Sequence, residues 1–165
     1  MPIHPIPPVW SRNPETPPRV LILGSFPSVK SRETGFFYGH PQNRFWRVMA
    51  AVLDAPVPKT IPEKIAMLET HGVALWDVVA ACTIVGSADS SIRDMTPTDL
   101  SPILAGGMVR AVFTNGSTAT RLYTKYHAPI IGISAIPLPS TSPANAAWSA
   151  ERLTAAWRVI LEALK

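Results

Sequence analysis

The sequence predicts an α/β protein, a three-layer α/β/α sandwich around a central four-stranded parallel sheet. Three observations carry that expectation. Short apolar runs recur at Val20–Leu23, Val73–Trp76, Val109–Phe113 and Pro129–Leu138, as buried parallel strands require. Between them lie stretches with apolar residues at helical spacing. And 165 residues, 47% hydrophobic and 16% charged, suffice for one domain with a sizeable core.

The elements follow in order. Residues 1–18 hold seven prolines and are expected to run extended over the surface. Val20–Leu23 is the first strand and ends at Gly24. Asn43–Leu53 aligns Phe45, Trp46, Met49, Val52 and Leu53 on one helical face. Pro62–His71 is a second helix, with Gly72 as its stop, and Val73–Trp76 a second strand ending at Asp77. A loop is expected through Gly86–Ser91. Thr96-Pro97 reads as an N-cap and N1 pair opening a short helix to about Leu104. Val109–Phe113, Ser117–Tyr126, Pro129–Leu138 and Ser149–Leu164 complete the alternation as strand, helix, strand and helix. In such a sheet a ligand sits beyond the carboxyl ends of the strands, here Gly24–Ser28, Asp77, Thr114–Gly116 and Pro139–Asn145.

Composition narrows the function classes. The net charge of +4 favours a polyanionic partner, nucleic acid foremost. Lys30, Arg32, Arg44 and Arg47 fall close together. A single cysteine, Cys82, excludes an intrachain disulfide and cysteine-based metal clusters; its apolar surroundings predict burial rather than reactivity. No apolar run reaches membrane-spanning length, and Met1–Trp10 lacks the apolar core of a signal peptide. A cytoplasmic, monomeric protein without metal or cofactor is expected.

Two stretches stand out as chemistry-bearing. The first reads Gly24-Ser-Phe-Pro-Ser28, then Gly35-Phe-Phe-Tyr-Gly-His-Pro-Gln-Asn-Arg-Phe-Trp46. It is neither a P-loop nor a dinucleotide fingerprint, for it lacks the lysine of one and the second glycine of the other. Three consecutive rings in a loop must pack or bind something flat. The second is Leu138-Pro-Ser-Thr-Ser-Pro-Ala-Asn145.

Together these segments resemble the two active-site motifs of the uracil-DNA glycosylase superfamily, and the Gly-Ser-Phe-Pro-Ser variant is most similar to its hypoxanthine (deoxyinosine) DNA glycosylase family. The similarity extends through most of the chain, including Gly72-Val-Ala-Leu-Trp-Asp77. It implies a monofunctional glycosylase that flips a deaminated base from DNA and hydrolyses its N-glycosidic bond with water, initiating base excision repair. Hypoxanthine is the first expectation. The alternatives are a mismatch-type uracil glycosylase and a non-catalytic DNA-binding domain of the same fold. A serine hydrolase using Ser25 or Ser28 lacks the required elbow.

One departure bears on mechanism. Mismatch-specific members carry a water-holding Asn where this chain has Phe26, whose ring neither donates nor accepts. The resemblance transfers that task to Asn43, which also stands where a helix cap belongs. Phe26, Tyr38 and Asp77 are the expected base-binding residues. Tyr38 would stack on the flipped base. Asp77 would accept a ring N–H, act as a general base, or cap a turn. Ser140, Thr141, Ser142 and Pro143 form the expected DNA-contacting loop. Ser25, His40 and Asn115 are further possibilities, His40 as a donor to the leaving base and Asn115 as pocket wall or simple turn.

Overall fold

The computed structural model describes residues 3–83 and 93–165. The loop expected at Gly86–Ser91 lies outside them. Four parallel strands, β1 (Val20–Gly24), β2 (Val73–Asp77), β5 (Ala111–Asn115) and β6 (Ala135–Leu138), form one sheet in the order β2-β1-β5-β6. Two further strands, β3 (Val79–Thr83) and β4 (Arg93–Pro97), pair antiparallel beside it.

Alternation along β1 divides the core in two. Val20 and Ile22 face a cluster with Phe45, Met49, Leu68, Leu153 and Trp157. These come from the helices α2 (Phe45–Leu53), α3 (Ile61–Thr70) and α7 (Ala150–Trp157). Leu21 and Leu23 face Ile103, Leu122 and Tyr123 on the opposite side, from α4 (Ser101–Leu104) and α5 (Ser117–Tyr126). A strand buried on both faces explains the uninterrupted apolar run. The three-layer expectation holds.

Several boundaries differ from the sequence reading. The helix α1 (Val29–Thr34) was not anticipated; the Ser28 hydroxyl caps it by accepting from Ser31 N–H, and Gly35 closes it at φ 77°. Thr96 and Pro97 end β4 instead of opening a helix. The α4 turn starts later, after Asp99, whose carboxylate accepts from Ser101 N–H at 3.0 Å. Thr98 donates to the carbonyls of Asp77 and Val78, tying this segment to the end of β2. The stretch Pro129–Leu138 is not one strand: Ala128–Ile131 forms the turn α6, Gly132 ends it at φ 82°, and only Ala135–Leu138 joins the sheet. The last helix divides into α7 and α8 (Ile160–Leu164), where tighter i to i−3 hydrogen bonds from Leu161 and Glu162 replace the α pattern.

The proline-rich N-terminus does not lie loose on the surface. Strand β2 is an edge strand with unpaired backbone groups, which must find partners when covered. Val9 exchanges backbone hydrogen bonds with Leu75, and His4 N–H donates to Ala80. Ile6 and Val9 are buried in the core, and Trp76 Nε1–H donates to the Ile6 carbonyl at 3.0 Å. Cys82 is fully buried, and burial pushes its thiol above the ordinary range, as its apolar context suggested.

Candidate active site

Strand register assembles the site. Gly24 pairs with Asp77, and Asn115 with Leu138, so four strand ends lie side by side at the carboxyl edge of the sheet. Above them opens a cleft of about 900 Å³. Asn43, Phe26, Tyr38, Asp77, Ser140, Thr141 and Ser142 all line it, as do Ser25, His40 and Asn115. Pro143 is not among the lining residues. Gly116, within the strand end expected to face a ligand, lines it too, and so do Ser31, Ser117 and Trp148, which no sequence signal marked.

Asn43 serves the helix start, one of the two roles that its position suggested. Its Oδ1 accepts from Phe45 N–H at 2.9 Å, which satisfies the start of α2, and from the Thr141 hydroxyl at 3.0 Å. The Phe45 N–H can only donate, so the amide oxygen faces inward and the NH2 group is turned away from these two donors. Thr141 is itself held: Asn115 Nδ2 donates to its hydroxyl at 3.0 Å, and its N–H donates to Asn115 Oδ1 at 3.1 Å. Thr141 is fully buried. Asn115 therefore does more than make a turn. The relay Asn115–Thr141–Asn43 links β5, the second motif and the first motif.

Arg44 anchors the second motif from below. Its guanidinium donates to the carbonyls of Ser142 (2.9 Å), Asn145 (3.1 Å) and Trp148, while Trp157 Nε1–H holds the Pro139 carbonyl at 2.9 Å. Of the basic group noted in the sequence, Arg44 thus shapes a loop and Arg32 lies 5.7 Å from the Phe26 ring centroid. Lys30 and Arg47 remain exposed.

The three consecutive rings separate by role. Phe36 and Phe37 are buried, Phe36 stacking on Trp46, whose indole N–H donates to the Phe37 carbonyl. Tyr38 is half-buried, packs against the same cluster with its ring stacked 4.1 Å from Phe45, and lines the cleft. Its φ of 54° is left-handed, a conformation that costs a non-glycine residue roughly 1–3 kcal/mol and gathers at functional sites. The loop is held by Gly39 N–H donating to Ser31 Oγ at 3.1 Å. His40 Nδ1 accepts from Gln42 N–H at 3.1 Å, so its neutral form carries the proton on Nε2.

Glycine is required at two points of the rim. A Cβ on Gly24 would lie 2.5 Å from Asp77 Oδ1 and 2.9 Å from the Tyr38 hydroxyl. Gly116 has φ 96° and packs against Ser140. Asp77 itself is buried, and His4 Nε2–H donates to its Oδ2 at 2.8 Å. Nothing in the sequence motifs pointed to His4, because its partner lies 73 positions away.

The sequence profile of the Uracil DNA glycosylase superfamily matches residues 12–165. The chain belongs to that superfamily. A curated relative, the hypoxanthine DNA glycosylase of Methanosarcina acetivorans, is 33% identical over 138 residues, covering 81% of this chain and 84% of that protein. The hypoxanthine DNA glycosylase of Methanosarcina barkeri is 34% identical over 89 residues, 53% of this chain and 54% of that one. The fold is similar to a solution NMR structure from Methanosarcina acetivorans, described as a candidate uracil DNA glycosylase. The TM-score is 0.76 at 29% identity, over 94% of this chain and 96% of that one. Among the described residues no helix is long and apolar enough to cross a membrane.

Proposed function

We propose that this superfamily member is a monofunctional DNA glycosylase that excises hypoxanthine, acting as a monomer in the cytoplasm at the first step of base excision repair. The observation that carries the reading is the convergence of an oriented amide, Asn43, a half-buried ring, Tyr38, and a buried carboxylate, Asp77, in one cleft large enough to admit a nucleotide. The names of its relatives support hypoxanthine as the base.

In this account a nucleotide flips into the cleft and its base stacks on Tyr38, a contact worth roughly 1–3 kcal/mol and tolerant of base type. Asp77 Oδ1 accepts the ring N–H. Deamination creates that mark: adenine and cytosine present a bare ring nitrogen, whereas hypoxanthine and uracil present N–H in its place. A carboxylate, which only accepts, favours the deaminated form over its parent base; guanine and thymine carry the same ring N–H and must be rejected by the shape of the cleft. Phe26 forms an apolar wall. As the glycosidic bond lengthens, the sugar gains positive charge, and the Asn43 NH2 holds a water by its oxygen against the anomeric carbon. Catalysis is by positioning, since an amide is a poor base. His40 Nε2–H is a second donor at the rim, toward the leaving base or a phosphate. Ser140 and Ser142, with the loop carrying Pro143, contact the DNA backbone. Among the described residues no lysine lines the cleft, in keeping with water rather than an amine as nucleophile.

Uracil is the second reading, because Asp77 accepts its ring N–H equally well. Duplexes carrying one deoxyinosine or one deoxyuridine, incubated with the protein and cleaved at abasic sites by alkali, test both. Scission at deoxyinosine supports the proposal. Scission only at deoxyuridine favours a uracil glycosylase, and scission at neither, with salt-sensitive binding retained, favours a non-catalytic DNA-binding domain.

A further inference from the structure

The N-terminal strap enters the site through one side chain. His4 lies before residues 12–165, the span the superfamily profile matches. Its imidazole is almost wholly enclosed, with 3% of its side-chain surface exposed, and it packs edge-on against Phe26 at 5.6 Å and near Phe37 and Trp76. Both ring nitrogens are engaged. The Ile6 N–H donates to Nδ1 at 3.1 Å, so Nδ1 carries no proton, and Nε2–H donates to Asp77 Oδ2 at 2.8 Å. The strap is fixed in turn by the backbone bonds of His4 to Ala80 and of Val9 to Leu75.

Burying a carboxylate is costly unless it is paired and hydrogen-bonded. Among the described residues, neither arginine nor lysine forms an ion pair with Asp77. The contact with His4 engages one oxygen and fixes the plane of the group. The other oxygen, Oδ1, remains beside Gly24 and the Tyr38 hydroxyl, at the floor of the cleft.

We infer that His4 is a positioning residue for base recognition: a neutral imidazole, its tautomer set by the Ile6 N–H, orients Asp77 so that Oδ1 meets the ring N–H of a deaminated base. This rests on the reading of Asp77 as the base-recognising group. The N-terminal strap is then part of the specificity apparatus as well as a cover for the sheet edge.

The test compares His4→Ala, His4→Gln, Asp77→Asn and the double variant His4→Ala/Asp77→Asn in the full chain. Single-turnover excision from a deoxyinosine duplex is measured at saturating enzyme, with binding to an undamaged duplex and thermal melting alongside. His4→Gln retains a donor near the Nε2 position. Expected are a loss of about tenfold in excision for His4→Ala with undamaged-duplex binding unchanged, and recovery to within about threefold of the parent for His4→Gln. With Asp77 already changed, His4→Ala adds little further loss. The inference is overturned if His4→Ala excises at the parent rate, if His4→Gln is as slow as His4→Ala, or if the two losses multiply in the double variant. If Asp77→Asn leaves both the rate and the deoxyinosine-to-deoxyuridine preference unchanged, the base-reading role of Asp77 falls. An impaired Asp77→Asn beside an unimpaired His4→Ala removes only the role of His4.

Discussion

The Thr141 hydroxyl donates to Asn43 Oδ1 across 98 positions of sequence, joining the two motifs at 3.0 Å. Because Asn115 holds the same hydroxyl, the amide orientation of Asn43 depends on a residue of β5. Thr141→Val keeps the shape and removes the donor. Excision should slow about tenfold, the scale of one hydrogen bond, with DNA affinity little changed. Single-turnover rates and binding isotherms check it; an unchanged rate would show that the relay does not position Asn43.

Gly24→Ala should be far more damaging than its size suggests. The added Cβ would meet Asp77 Oδ1 at 2.5 Å and the Tyr38 hydroxyl at 2.9 Å, so both groups must move. Displacement of this order is expected to lower excision by about 100-fold. Excision assays beside a melting curve separate this loss from unfolding.

Asp77→Asn should invert what the cleft presents. The His4 Nε2–H will hold the amide oxygen, which leaves the NH2 group where Oδ1 stood. Deoxyinosine excision is expected to fall by about 10- to 100-fold, the range for a hydrogen bond to a charged group. Rates on deoxyinosine and deoxyuridine duplexes test this, and both should fall.

His127 makes stability pH-dependent. It is buried, stacks on Tyr123 and donates from Nε2 to the Val78 carbonyl at 3.0 Å. Burial lowers its pKa, with the Val78 carbonyl opposing in part. The unfolded chain therefore takes up a proton near pH 6.5 that the folded chain binds only at lower pH. The stabilisation is complete above that value and declines as pH falls below it. Melting temperatures between pH 7.5 and 5.5 should drop less in His127→Gln than in the parent.

Much of the fold was legible because a strand buried on both faces needs an unbroken apolar run, which Val20–Leu23 and Val73–Trp76 supply. Asn43, Tyr38 and Asp77 came into view as candidates through the resemblance of their segments to the superfamily motifs, Asp77 being marked also by the end of a strand. Thr96-Pro97 misled because the pair that opens a helix can equally end a strand at a sheet margin. Pro129 and Gly132 bracket a single turn that an apolar count absorbs into the next strand. His4 was beyond reach: a proline-rich segment reveals no partner, and its hydrogen bond to Asp77 exists only once the edge of β2 has captured the strap.

In the proposed reaction the Asn43 amide holds the attacking water while the cleft binds a deaminated base. Single-turnover excision from a deoxyinosine duplex by Asn43→Ala tests it most directly. A loss of about 100-fold or more is expected, with duplex affinity close to that of the parent. Excision by Asn43→Ala at the parent rate would contradict it and return Asn43 to its role at the start of α2.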